Sequence, residues 1–219
     1  VTIDCNDFKL GGLGAGKGSD AIGISAGNRQ NANIRRCSIR GFRYGIRLEG
    51  GAGHLVEDNR LDSNLSIGIQ VSGDNNLVRR NHVHNTGGRT GSNWAYGIQA
   101  QAHVIDNSVV RLYADQADGL LLGMAVSADG ARIGGNSVSG FDAIPVQGGS
   151  IGGADGISAY GQHMRISDNH VTGWKQAQGT SSGTGLVTWG SSFCLDNTVG
   201  GFTVNIAQCT VSARNLTWP

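Results

Sequence analysis

The chain has 219 residues, 17 Lys plus Arg against 16 Asp plus Glu for a formal net charge of +1, 37 glycines and only 2 prolines. That length buries one substantial core and requires no second domain. A near-neutral balance without charge blocks argues against a nucleic-acid stripe, the lack of any run of about 20 apolar residues argues against a membrane-spanning helix, and glycines without a three-residue period exclude collagen.

A short unit, aliphatic-x-x-Asn-x-aliphatic, recurs along the chain. In order its copies are Ile3/Asn6/Phe8, Ile34/Cys37/Ile39, Val56/Asn59/Leu61, Val78/Asn81/Val83, Val104/Asn107/Val109, Ile133/Asn136/Val138, Ile166/Asn169/Val171 and Cys194/Asn197/Val199, with a partial copy at Ile206/Cys209/Val211. Between them lies a second unit, glycine followed by an aliphatic residue: Gly23-Ile24, Gly45-Ile46, Gly68-Ile69, Gly97-Ile98, Gly123-Met124, Gly156-Ile157 and Gly185-Leu186. Segments such as Ile46-Arg47-Leu48 alternate with period two, as strands do, and no stretch of helix length has a 3.6 period. A single coil is too thin to bury its own apolar side chains, so the coils must stack and share one interior. The sequence therefore predicts an all-β fold, a parallel β-helix of about 8 coils in one domain over 1–219.

This organisation resembles the right-handed β-helices of pectate lyases, polygalacturonases, alginate epimerases, NosD-like proteins and phage tailspikes. The resemblance implies the fold over the whole chain and a polysaccharide as partner. It supplies no catalytic signature: the paired aspartates and G-H-G of polygalacturonases are absent, and Asp168-Asn169-His170 matches only the Asn position of the repeat.

The coils differ in length at one corner, between the Asn unit and the next glycine unit. From Asn59 to Ile69 is 10 residues, and the four following spacings are 17, 17, 21 and 17. Insertions at one corner of a stack protrude side by side, and such loops are where a rigid scaffold carries recognition. They span 84–96, 110–122, 139–155 and 172–184. The expected ligand-binding residues are Trp94, Tyr96, Tyr113, Trp174 and Gln176, since aromatic faces stack on sugar rings and amides bond hydroxyls. The expected catalytic residues are Asp118, Asp142 and Asp155, carboxylates on neighbouring insertions that could work as an acid and base pair about 5–10 Å apart. In a lyase, acids or a bound Ca²⁺ would neutralise a uronate and Lys175 would abstract the proton. No other cofactor and no resident metal site is expected. The competing readings are a non-catalytic glycan-binding or adhesive module and a structural shaft or assembly domain.

Cys5, Cys37, Cys194 and Cys209 lack a C-x-x-C spacing and are expected as buried thiols, with a Cys194 to Cys209 disulfide as the alternative. Gly11–Lys17 matches a phosphate-loop fragment without the required Ser or Thr, and reads as an outward loop or terminal cover. The arginines between Arg35 and Arg47 read as solvated strand faces. The chain begins inside a strand, so we expect a removed leader or N-terminal capping region, or a neighbouring subunit on the first coil, and a cap formed by Trp218 at the other end. An extracellular or cell-surface location fits these expectations.

Overall fold

The computed structural model describes residues 1–115, 119–142, 153–173 and 183–219. Within them the chain is a parallel β-helix with three faces. The first face carries Ile22–Gly27, Tyr44–Glu49, Leu120–Ser127, Ala154–Tyr160, Thr184–Trp189 and Val204–Ala207. The second carries Thr2–Asp4, Asn33–Arg35, Leu55–Glu57, Arg132–Gly134, Met164–Ser167, Ser192–Leu195 and Val211–Ala213. Two long strands, Ile67–Arg79 and Trp94–Ile105, run through the corner and join these faces. The third face is a separate nine-stranded sheet from Lys9–Gly11 to Leu216–Trp218.

Side chains stack as the repeat requires. On the first face Ile24, Ile46, Ile69, Ile98, Met124, Ile157, Leu186 and Ile206 are partners in register. The second face stacks Ile34, Val56, Val78, Val104, Ile133, Ile166 and Cys194. Together with the aliphatic column of the third face they form one buried core.

The two sequence motifs have separate physical causes. Each motif glycine sits where a Cβ would strike a backbone carbonyl of the next coil, at 2.7 Å for Gly68 and 2.4 Å for Gly123, and a core aliphatic side chain of the third face, at 2.5 and 2.3 Å. Glycine is needed there for close approach. The asparagines form a ladder: Asn107 donates from Nδ2 to the Val78 and Ile105 carbonyls at 3.0 Å and to Asn136 Oδ1 at 3.1 Å, and its own Oδ1 accepts from the Asn81 backbone N–H and Nδ2, both at 3.0 Å. The residue before Cys37 and before each ladder Asn from Asn59 to Asn215 is in the left-handed region, from φ 49° at Arg36 to 65° at Gly135. Asp58 and Asp196 in this column are gripped by Arg80 and Arg214 one coil on, each through two hydrogen bonds.

Both ends depart from expectation. The cysteines are not thiols: Cys5–Cys37 and Cys194–Cys209 are disulfides, the second being the alternative already foreseen. Cys37 heads the Asn ladder, its N–H donating to Asn59 Oδ1 at 3.0 Å, which brings it within a Cα distance of 4.7 Å of Cys5. In the first coil Leu10, not Phe8, pairs with Ile39, because Asn6 and Asp7 both take positive φ and lengthen the turn. In the last coil Ile206 belongs to the first face opposite Leu186, and the ladder ends on Asn215, whose Oδ1 accepts from Asn197. Trp218 does not cap the core: it lies over Gly200 on the outer side of the third face, 6.0 Å from the His170 ring.

The segment after Gly11 is anchored rather than loose. Lys17 O accepts from Thr90 N at 3.1 Å, and Asp20 pairs with Arg43 at 2.6 Å and Arg89 at 3.0 Å. Its only helix is the three-residue 3-10 turn Leu13–Ala15, which is no phosphate-binding context. No helix among the described residues is long and apolar enough to cross a membrane.

Candidate functional site

Asp118, Trp174, Lys175 and Gln176 lie outside the described residues. Trp94 and Tyr96 open a strand of the first face with their rings edge to face at 5.6 Å. Tyr113 closes a strand of the third face, half-buried, with its ring against Gly88, where a Cβ would come within 2.2 Å of it. Burial pushes its hydroxyl pKa up. Tyr113 therefore packs a corner of the helix.

The two described carboxylates sit on different faces. Asp142, opposite Tyr113 on the third face, is exposed and ion-paired to Arg111 at 2.7 Å. Asp155, opposite Leu122 on the first face, is half-buried. Its Oδ1 accepts from the Thr184 N–H at 3.0 Å and its Oδ2 from the Ser158 hydroxyl at 3.2 Å. Burial pushes the Asp155 carboxyl above its ordinary range, and these two hydrogen bonds oppose the shift. No hydrogen bond or ion pair joins Asp142 to Asp155 among the described residues. No group of three or more His, Cys, Asp or Glu among them is arranged to hold a metal, so Ca²⁺ enters no step below.

The feature that sequence reasoning missed is a pair of outward aromatics two positions beyond the strand centres. Ser127, Tyr160 and Trp189 are partners in register on three successive coils. The Tyr160 and Trp189 rings are parallel within 4°, with centroids 4.5 Å apart, and both remain about two-fifths exposed at 41% and 40%. That separation is close to the strand spacing, so the ring planes lie across the helix axis. Trp189 covers one face of Tyr160. On the other side stands Ser127, too short to cover the second face. The Tyr160 hydroxyl bonds Ser158 and is raised by burial and then by the neighbouring Asp155 and Tyr96, which places it in one polar network with the half-buried acid. The signal was present: Tyr160 and Trp189 each lie four residues after a motif glycine, Gly156 and Gly185.

The free face of Tyr160 ends a cleft of about 600 Å³ at the corner between the first and second faces. Asp74, Asn75, Gln101, His103 and Asp129 line it, with small residues such as Gly73, Ala102 and Ser127 as its floor. Its polar atoms are oriented by the turns. Gln101 Oε1 accepts from Gly73 N at 2.8 Å, Asp129 Oδ1 accepts from Gln162 N at 2.7 Å, and His103 Nδ1 accepts from Arg132 N at 3.0 Å. The amide nitrogen of Gln101, the second oxygen of Asp129 and Nε2–H of His103 are left for other partners. Mixed donors and acceptors beside an aromatic face suit a polyhydroxylated ring.

A family model described as "Right handed beta helix region" matches residues 1–138. No curated protein and no solved structure gives a match. The matched residues contain the Asn ladder from Asn59 to Asn136 and five of the motif glycines named above, and by that match, on coils whose register the structure supports throughout, this chain belongs to the right-handed β-helix family.

Proposed function

We propose that this protein binds a polysaccharide in the corner cleft, with one sugar ring stacked on the free face of Tyr160 and its hydroxyls bonded by Asp74, Gln101, His103 and Asp129. The observation that carries the reading is the parallel Tyr160/Trp189 pair, in which Trp189 backs one face of Tyr160 and the other is open to a sugar ring at the end of the cleft. Trp189 backs Tyr160 and holds it upright. Trp94 and Tyr96, which open a strand of the first face, extend the contact surface along it. The fold is of a kind used by carbohydrate-active and carbohydrate-binding β-helices, and the two disulfides support an oxidising compartment such as the cell surface or the extracellular space.

Affinity measured against a panel of acidic and neutral polysaccharides tests it. Loss of ring stacking in Tyr160→Ala or Trp189→Ala is worth about 1.4 kcal/mol, so at least one polysaccharide should bind the wild type and bind either variant about tenfold more weakly. Equal affinity in all three would refute the assignment.

A second reading, cleavage by a lyase or glycoside hydrolase, is favoured by one observation: the raised pKa of Asp155, which suits a proton donor. Asp155 would protonate the leaving oxygen, with Asp118, Asp142 or Lys175 as the partner base. Absorbance at 235 nm and new reducing ends, read after incubation with the bound polysaccharide, decide it. Activity abolished in Asp155→Asn establishes cleavage, and no product from the wild type leaves the binding reading alone.

A further inference from the structure

Under the wall of the cleft, where the first face turns into the second, Ala32, His54, Asn76 and Ala102 lie above one another on four successive coils. All four are buried, and His54 is the one among them that can take a proton.

The bonds of the His54 ring fix its tautomer. Nδ1 accepts from the Ala32 N–H of the preceding coil at 3.2 Å, and a backbone N–H can only donate, so Nδ1 bears no proton. Nε2 lies 2.9 Å from the Gly50 carbonyl, which can only accept, so the proton is on Nε2. The His54 N–H donates in turn to Asn76 Oδ1 of the following coil at 2.8 Å. Asn76 repeats the pattern, with Nδ2 donating to Gly73 O of its own turn at 2.8 Å and to Gln101 O at 3.1 Å. An imidazole thus does on one coil what an amide does on the next, and only the imidazole changes with pH.

A second proton on this ring would set Nδ1–H against the Ala32 N–H and leave a charge in a buried site. The charged residues of the turns packed around it, Arg29 on the preceding coil, Glu49 on its own and Asp74 on the following one, are exposed. Glu49 pairs with Arg47, and none of the three is bonded to the ring. The protonated ring therefore leaves its seat and frees the Gly50 carbonyl. That turn carries the cleft wall directly. Gly53 N–H donates to Asp74 O at 2.9 Å, Asp74 N–H donates to Gly51 O at 3.2 Å, and a Cβ on Gly73 would come within 2.3 Å of Gly51 O. Gly73, Asp74, Asn75 and Asn76 all line the cleft.

We propose that His54 is a pH-sensitive latch of the cleft. Neutral, it holds the Gly73 to Asn76 wall in place; protonated, it lets the wall open, and the cleft releases its ligand as pH falls through the ordinary histidine range. The effect on binding rests on the glycan reading of the cleft, whereas the latch itself is measured without ligand.

The whole chain is compared at pH 7.5 and 5.5 as wild type and as His54→Asn, the residue the following coil uses for the same task. Hydrogen exchange, corrected for the intrinsic effect of pH, should show Ala32, Gly53 and Asp74 losing about tenfold in protection at pH 5.5 in the wild type, while Ser137 and Thr198 lose none. In His54→Asn all five should keep their protection. Calorimetric titration with xylan, mannan and polygalacturonate should find at least one that binds the wild type at pH 7.5 and binds it about tenfold more weakly at pH 5.5. His54→Asn should lose several-fold less over the same interval. His103, Asp74 and Asp129 of the cleft are present in both proteins, so the difference isolates His54.

Equal loss of protection in both proteins, or none in either, overturns the latch. Should the variant fail to fold, the wild type decides: nitrogen-15 spectra should show a histidine held in the Nε2–H form at pH 7.5, whose protonation coincides with lost protection at Ala32 and Gly53. A ring that takes its proton while those amides stay protected overturns the proposal. Binding of none of the three polysaccharides at pH 7.5, with the exchange pattern as expected, overturns the glycan reading and leaves the latch. Glycan affinity that falls equally in both proteins keeps the glycan reading and overturns control of the cleft by His54.

Discussion

At the level of single residues, the Asn ladder converts a sequence period into a structure. Asn107 makes six hydrogen bonds, to backbone and side-chain groups of its own coil and of both neighbouring coils. Asn107→Ala would remove the acceptor of the Asn81 N–H and one donor each from the Val78 and Ile105 carbonyls in a buried site. We expect a loss of about 3 kcal/mol in urea-induced unfolding, whereas the same change at exposed Asn93 should cost under about 0.5 kcal/mol. The acid of the site has its own signature. Because the folded-state pKa of Asp155 lies above its ordinary value, its contribution to stability is full below that value and disappears as pH rises through the raised one. Asp155→Asn should therefore gain stability relative to the wild type as pH climbs from 4 towards 7, read from thermal midpoints at each pH. Asp4, held down to about 2 by Arg36, works in the opposite sense, supporting the fold above its ordinary range and losing effect as pH falls towards 2.

At the level of elements, each strand is bounded by a corner whose chemistry is distinct. The glycine corner has no room for a side chain, so Gly123→Ala should cost about 2 kcal/mol or more through clashes with Val138 and the Gly156 carbonyl. The first and last coils described are each fastened by a disulfide. Hydrogen exchange with and without reductant should show lost protection in residues 1–40 and 192–218 on reduction, with 60–110 unchanged, because coils in a solenoid open from their ends. Uniform loss across the chain would show instead that the disulfides hold the whole stack. Much of this was readable from spacing. Val56/Asn59/Leu61 and its later copies have their registers fixed by one buried amide and two buried aliphatics. The ends were not readable, because Asn6 and Asp7 insert two residues without altering the hydrophobic pattern, so Phe8 looked inward. Ile206 lies at the spacing of a ladder unit in a final coil shortened to 18 residues between Asn197 and Asn215. The disulfides followed from those same misplaced ends.

For the whole molecule, stacking is what turns residues far apart in sequence into one surface. Asp74, Gln101, Asp129 and Tyr160 belong to four coils and line a single cleft. Sequence length variation pointed to the corner after the third face, where insertions accumulate. The cleft instead occupies the corner after the first face, whose near-constant length gave no signal. There the deciding property is the size of outward side chains: small at Ser127 and aromatic at Tyr160 and Trp189, a difference that matters only once register is known. The account stands on that arrangement receiving a sugar ring. Hydroxyl-radical footprinting with and without saturating polysaccharide measures it at the side chains concerned. Oxidation of Tyr160 should fall several-fold while exposed Phe193 and Leu216 keep their rates; unchanged oxidation at Tyr160 under saturating ligand would contradict the account.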